Sequence, residues 1–183
     1  MRSRDARRAA AALAALALSA PAGASAASPK FALAMMHFNV QYVAGGLKGF
    51  FSTPDPTIDL DAEQVEDAII RESFEPVLDL FLAHPSWATN VELQGYMLDV
   101  MAARHSDVLD KLRTLAKAGQ IEVVSFHYSD QLFLAYPHQD WERSVALDQA
   151  TFAKHDIPLG KAVFCQEGQA GIGQASAMAA HGY

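Results

Sequence analysis

The sequence contains a single cysteine, Cys165, among its 183 residues. One cysteine excludes an intramolecular disulfide. Cys165 lies in an apolar stretch, which predicts a buried, unreactive thiol rather than a nucleophile. The sequence also lacks a repeat of fixed period, and beyond the first 26 residues it lacks a low-complexity linker, so a single globular domain is expected.

The sequence also has fewer basic than acidic residues. The chain has 14 Lys and Arg against 21 Asp and Glu, a formal net charge of -7. This balance argues against nucleic acid or an anionic membrane surface as a partner. Hydrophobic residues make up 51% and charged residues 19% of the chain, which is ordinary globular composition.

No hydrophobic run is long enough to cross a bilayer. The longest, within residues 9–18, is too short. Four arginines precede it at positions 2, 4, 7 and 8, and Ala24-Ser25-Ala26 follows it as a small-residue cleavage site. This order predicts that residues 1–26 are a secretory signal peptide. We therefore expect a secreted or periplasmic protein with no membrane span once the signal is removed.

Metal-ligand motifs are missing too. The sequence has no His-x-x-x-His, and the first polar segment reads His37-Phe38-Asn39 where a metal enzyme would carry His-x-Asp. Neutral Asn is a poor zinc ligand. We therefore predict no metal site and no other cofactor.

What the sequence does contain is an alternation of strands and helices. Four short apolar runs predict strands at Phe31–Met36, Ala88–Leu93, Ile121–Phe126 and Ala162–Cys165. Helical spacing of apolar residues separates them. Helices between buried apolar strands predict an α/β fold with a parallel sheet.

Several residues are expected to mark the helices and their core faces. The predicted N-caps are Asp61, Ser106 and Asp140. Pro76 is expected to open a second helical piece that stops at His84-Pro85, and Gly119 to end a helix. The predicted core residues of the last long helix are Val145, Leu147 and Phe152.

Polar side chains follow each predicted strand. They are His37, Asn39 and Gln41 after the first, Glu92 and Gln94 at the second, His127, Tyr128 and Asp130 after the third, and Glu167 and Gln169 after the fourth. The carboxyl ends of parallel strands share one edge of the sheet, where ligands bind. The pattern predicts one polar pocket, and its His, Tyr, Asn and Gln content suits a hydroxyl-rich ligand.

Three segments, LAMMHFNVQY, GQIEVVSFHYSDQL and AVFCQEGQ, each place polar residues after an apolar run. They resemble the motifs of glycoside hydrolase family 57. LAMMHFNVQY resembles its first strand with a following His, and GQIEVVSFHYSDQL resembles its second motif. AVFCQEGQ resembles its third, in which a strand ends in a Pro-Glu pair, although Gln166 stands in place of the Pro. The resemblance spans most of residues 31–183. It implies an incomplete, seven-stranded (β/α) barrel of the glycoside hydrolase/deacetylase type.

The resemblance implies a retaining glycosidase acting on α-glycosidic bonds of poly- or oligosaccharides, with Glu167 as nucleophile. His37, Asn39, Gln41, Glu92, His127, Tyr128, Asp130 and Gln169 would bind the substrate. Tyr42, Tyr128 or Trp87 would stack on a sugar ring or belong to the core. The family's general acid is an Asp from a later strand, which these 183 residues do not supply; Glu92 and Asp130 are weaker substitutes.

Four strand–helix units make about half of such a barrel. We therefore expect residues 27–183 to be the N-terminal half of the domain, from a truncated reading frame. A stable open four-stranded sheet is the structural alternative. Two other functions stay open: a metal-dependent polysaccharide deacetylase or mannosidase-like enzyme, and a non-catalytic sugar-binding remnant.

Overall fold

Three parallel strands form the central sheet of the computed structural model, which describes residues 33–40, 62–129, 132 and 136–183. Strand β1 is Met35–Phe38, β2 is Thr89–Leu93 and β3 is Ile121–Val124. Their order in the sheet is β1-β2-β3, with every pairing parallel. Parallel neighbours require helical crossovers, so the predicted α/β class is confirmed.

The helices lie between and after the strands. Helix α1 is Ala62–Ala68, a π-helical segment follows at Ile69–Phe74, and α2 is Glu75–Ala83. Helix α3 is Gly95–Arg104, α4 is Ser106–Lys117, α5 is His138–Lys154 and α6 is Gln174–Ala180. None of the helices in the described ranges is long and apolar enough to cross a membrane.

The fourth predicted strand, Ala162–Cys165, is wrong. In its place the chain makes one isolated parallel bridge between Val123 and Leu159, and the Gly160 N–H donates to the Val123 carbonyl at 2.7 Å. The chain then leaves the sheet. Val163 and Cys165 pack against a second apolar cluster that contains Phe126, Trp141, Val145 and Met178, so tertiary packing overrides strand propensity.

Helix starts also differ from the sequence prediction. Helix α4 begins at Ser106 itself, with His105 in the capping position, and α5 begins at His138 after Pro137. Asp140 therefore lies in the first turn, where its charge favours the helix through the macrodipole. Pro76 opens a second helical piece as predicted: it lies in the first turn of α2, where a backbone N–H has no intrahelical partner to lose, and α2 ends before His84.

One face of the sheet packs on the helices. Val91, Leu93 and Val123 are fully buried there, and Phe38 contacts Phe74 edge-on with ring centroids 4.8 Å apart. Helix α4 contributes a fully apolar side with Leu109, Leu112 and Leu115, and Gly119 ends it at φ 74°, as predicted. Val145 and Phe152 of α5 are buried as expected, but Leu147 is 45% exposed and is not a core residue.

Candidate functional site

The opposite face of the sheet carries polar side chains at its carboxyl edge. His37 of β1 and Glu92 of β2 are partners in the strand register and therefore project from the same face. The His37 Nδ1–H donates a hydrogen bond to Glu92 Oε2. Glu92 has no exposed surface, whereas the His37 side chain is 36% exposed. The bond fixes the orientation of the imidazole and leaves its Nε2 for other contacts.

His127 approaches Glu92 from the loop after β3. Its side chain is almost fully buried, and its Nε2 lies 3.7 Å from Glu92 Oε1. Burial, reinforced by the charge of His37, lowers the pKa of His127 to about 4, although the nearby backbone of His127 and Ser129 acts in the opposite direction. The imidazole of His127 is therefore neutral at pH 7, able to donate from one nitrogen and accept at the other.

Tyr128 lies beside this cluster, half-buried. Its hydroxyl donates to Asp99 Oδ2 at 3.1 Å, and its ring meets Tyr96 edge-on with centroids 6.1 Å apart. Burial and this hydrogen bond raise the pKa of Tyr128. Since the hydroxyl already has a protein partner, a ligand at this position would meet mainly the ring.

Glu167 lies in a short 3-10 turn at Gln166–Gly168, after the segment that bridges to β3. That bridge is parallel, so the chain runs toward the carboxyl edge of the sheet, and Phe164 reaches His37 with ring centroids 6.0 Å apart. The Glu167 side chain is exposed and its backbone is left-handed, with φ 54°. Such a conformation costs a non-glycine residue about 1 kcal/mol, and it is frequent at functional sites.

The remaining predicted site residues are less informative. Asn39 follows β1 and is half-buried, and so is Gln169, whose N–H donates to the Gln166 carbonyl at 3.0 Å. Gln41 and Asp130 lie outside the described residues.

Two side-chain predictions are wrong. Cys165 is only partly buried, and its Sγ accepts a hydrogen bond from Gln174 Nε2 at 3.0 Å, because the chain has left the sheet before this point. Trp87 cannot stack on a ligand at the carboxyl edge. It precedes β2, stacks on His84 with centroids 4.2 Å apart, and therefore lies at the amino-terminal edge.

Three buried polar residues lie near the site, and two of them were not predicted from the sequence. Gln94, which the sequence did place at this edge, follows β2 and has no exposed surface, and its amide atoms find no hydrogen-bond partner within the described part of the chain. Ser125 and Asp148 are also fully buried and hydrogen-bonded to each other. A sequence signal for Asp148 exists: it falls at helical spacing between Val145 and Phe152, where an apolar residue is expected.

Buried carboxyl groups shape the charge of this region. Burial, with the charge of Glu92, raises the pKa of Asp148 well above its ordinary value. Across the residues that the structure describes, no three His, Cys, Asp or Glu side chains are grouped so that they could hold a metal ion. The cluster of His37, Glu92 and His127 offers hydrogen-bond donors and acceptors, which are groups that bind hydroxyls.

A parallel sheet joined by helices defines an α/β protein, a class in which ligands commonly bind at the carboxyl edge of the sheet, where these polar side chains lie. The chain belongs to glycosyl hydrolase family 57, which matches residues 35–157.

Two curated relatives match shorter segments. Alpha-amylase 1 of Dictyoglomus thermophilum is 31% identical over 68 residues, which are 37% of this chain and 10% of the amylase. The 4-alpha-glucanotransferase of Thermococcus litoralis is 32% identical over 75 residues, which are 41% of this chain and 11% of that enzyme. The matches thus span about a tenth of the length of these relatives.

A solved structure has the same fold. The crystal structure of 4-alpha-glucanotransferase from Thermococcus litoralis superposes with a TM-score of 0.66 at 19% identity, covering 82% of this chain and 21% of that one. At this identity the likeness concerns the fold alone.

Proposed function

We propose that this protein is a carbohydrate-active enzyme that cleaves or transfers α-glycosidic bonds of poly- or oligosaccharides. The observation that carries the proposal is the family match over residues 35–157, which includes the polar cluster of His37, Glu92 and His127. The two relatives, named as an amylase and a 4-alpha-glucanotransferase, support an α-glucan as the substrate. Hydrolysis and transfer share the first chemical step and differ in whether water or a sugar hydroxyl completes the reaction.

Glu167 is the proposed nucleophile of a retaining mechanism. Its carboxylate attacks the anomeric carbon and forms a glycosyl ester, while the glycosidic oxygen leaves with a proton from a general acid. The resemblance of residues 162–169 to the family's third motif supports this role, as do the exposure of Glu167 and its left-handed backbone. The general acid is not assigned to a residue of this chain.

The cluster at the sheet edge would bind the sugar. His37, oriented by Glu92, offers its Nε2 to a sugar hydroxyl, and neutral His127 offers both a donor and an acceptor. Asn39, Tyr128 and Gln169 would add contacts at the same edge, together with Gln41 and Asp130.

Two further proposals concern architecture and location. We infer that the three-stranded sheet belongs to an incomplete (β/α) barrel of the glycoside hydrolase/deacetylase type; its parallel strands joined by helices and the family match over residues 35–157 support this. We also propose that residues 1–26 direct the protein out of the cytoplasm, to the periplasm or the exterior.

The test is Glu167→Gln, assayed on amylose and maltooligosaccharides. The amide keeps the size of the side chain and removes its nucleophilicity, so kcat should fall by roughly a thousandfold or more, with little change in sugar binding. Glu63→Gln is the matched control, since Glu63 is exposed on α1. A fluorinated glucoside should trap the ester on Glu167, located by mass spectrometry.

Near-normal turnover of Glu167→Gln, or a trapped label on another residue, would remove Glu167 from this role. Sugar binding without turnover in the wild-type protein would favour a non-catalytic sugar-binding function.

A further inference from the structure

The loop that carries His127 is held from both sides by hydrogen bonds. From the start of α3, the Gly95 N–H donates to the His127 carbonyl at 3.4 Å and the Tyr96 N–H donates to the Tyr128 carbonyl at 2.7 Å. From α5, Ser144 Oγ accepts the Tyr128 N–H at 3.1 Å. The first two N–H groups belong to the free N-terminal turn of a helix, so this pairing satisfies donors that the helix itself cannot use.

Asp148 lies behind this loop on α5, without exposed surface. Its Oδ1 accepts a hydrogen bond from Ser125 Oγ at 3.1 Å, and Ser125 is two residues before His127. Gly95 faces the same oxygen so closely that a Cβ there would lie 2.7 Å from Asp148 Oδ1. The carboxyl group therefore lies against two points: Ser125 in the loop itself, and Gly95 at the start of α3.

We propose that Asp148 is a positioning residue, which acts through Ser125 and Gly95 to hold His127 against Glu92. A carboxyl group at a fully buried position is costly unless it is hydrogen-bonded, and here its partner is the residue that sets the course of the loop. Burial and the charge of Glu92 raise the pKa of Asp148, which is the direction expected for a carboxyl group placed in the core. Asp148 itself does not touch the sugar in this proposal.

The consequence for the site is the placement of one imidazole. The Nε2 of His127 lies 3.7 Å from Glu92 Oε1, and its low pKa of about 4 depends on burial. If the loop loses its anchor, water reaches the ring and the pKa of His127 returns toward its ordinary value of 6.5. The pKa of this one histidine therefore reports directly on the proposed role.

The experiment follows the ring protons of His127 by NMR across a pH titration, with the signal assigned by loss in His127→Gln. Wild type should titrate near 4. Asp148→Ala should move the pKa up by about one unit or more, and Asp148→Asn should restore it, because the amide oxygen still accepts from Ser125. Ser125→Ala should give a smaller upward shift in the same direction.

Phe152→Leu is the matched control. Phe152 is buried on the same helix but belongs to the main core cluster, so this variant should lose stability with no change in the pKa of His127. An unchanged pKa in Asp148→Ala, or an equal shift in Phe152→Leu, would overturn the proposal. If Asp148→Ala does not fold, the Ser125→Ala variant provides the test. An unchanged pKa of His127 in that variant also overturns the proposal.

A second readout rests on the proposed function. With a maltooligosaccharide, Asp148→Ala should raise KM roughly tenfold, the loss of about one hydrogen bond, and Asp148→Asn should recover it. The NMR titration needs neither substrate nor turnover. If the pKa of His127 shifts in Asp148→Ala but the wild-type protein neither binds nor converts glucans, the positioning role is upheld and the proposed function is rejected.

Discussion

His37 and Glu92 are 55 residues apart in the chain and are joined by a hydrogen bond between His37 Nδ1 and Glu92 Oε2. The two residues are also partners in the register of adjacent parallel strands. The buried carboxylate thus orients the imidazole through its Nδ1. Any ligand that binds His37 depends on Glu92 as much as on His37.

Glu92→Gln should lower activity by tens of times, less than Glu167→Gln, because it disturbs the orientation of His37 and removes no reacting group. The measurement is kcat/KM on a maltooligosaccharide. A double-mutant cycle with His37→Ala sharpens it: the two losses should be far from additive, since each variant weakens the same contact between His37 and Glu92. Additive losses would mean that the pair does not act as a unit.

Gly95→Ala should destabilise the protein by about 1–3 kcal/mol, because the new Cβ would lie 2.7 Å from Asp148 Oδ1 and 3.1 Å from Tyr128 Cδ2. Neither atom can easily move, since both are held among packed elements. Gly173→Ala is the control: nothing lies within 4 Å of its Cβ position, so it should change stability by less than about 0.5 kcal/mol. Urea unfolding measures both. Equal losses of stability in the two variants would contradict the close packing of Gly95 against Asp148.

His127 should make stability depend on pH. Its pKa is lowered from 6.5 to about 4 in the folded protein, so the unfolded chain binds the proton first as pH falls. Its contribution to the free energy of unfolding is therefore complete above about pH 6.5 and is lost between there and pH 4, a total of about 3 kcal/mol. Asp148 acts oppositely, since its raised pKa costs stability as pH rises above 3.8.

The comparison that isolates His127 is the wild type against His127→Gln, because Asp148 is common to both. The difference between their free energies of unfolding should decrease by about 3 kcal/mol from pH 7 to pH 4. Chemical denaturation at a series of pH values gives this difference. A constant difference would mean that His127 titrates normally in the folded state.

Residues 1–26 should be absent from exported protein. The arginines at positions 2–8, the short apolar run and Ala24-Ser25-Ala26 form the order expected of a signal peptide. N-terminal sequencing of periplasmic or secreted material should begin near Ala27. Ala24→Glu and Ala26→Glu together should block cleavage, whereas intact Met1 on exported wild-type protein would refute the proposal.

The elements of the fold were largely predictable from local pattern. The continuous apolar runs at β2 and β3 and the leucine spacing of α4 predict these elements to within one or two residues, because strand and helix periodicity are properties of short segments. The same patterns placed His37, Glu92 and His127 at the carboxyl ends of their strands. Family membership was likewise predictable from the motifs around them.

Only the tertiary structure decided which of these groups meet and which apolar run stays in the sheet. The pairing of His37 with Glu92 depends on strand register, which no single segment encodes. The run at residues 162–165 looks like a strand, yet it packs on the second apolar cluster instead. In the sequence, Asp148 is a polar exception on an apolar helix face. Its role can be inferred only from the contacts with Ser125 and Gly95, because burial and hydrogen bonding are set by residues distant in the chain.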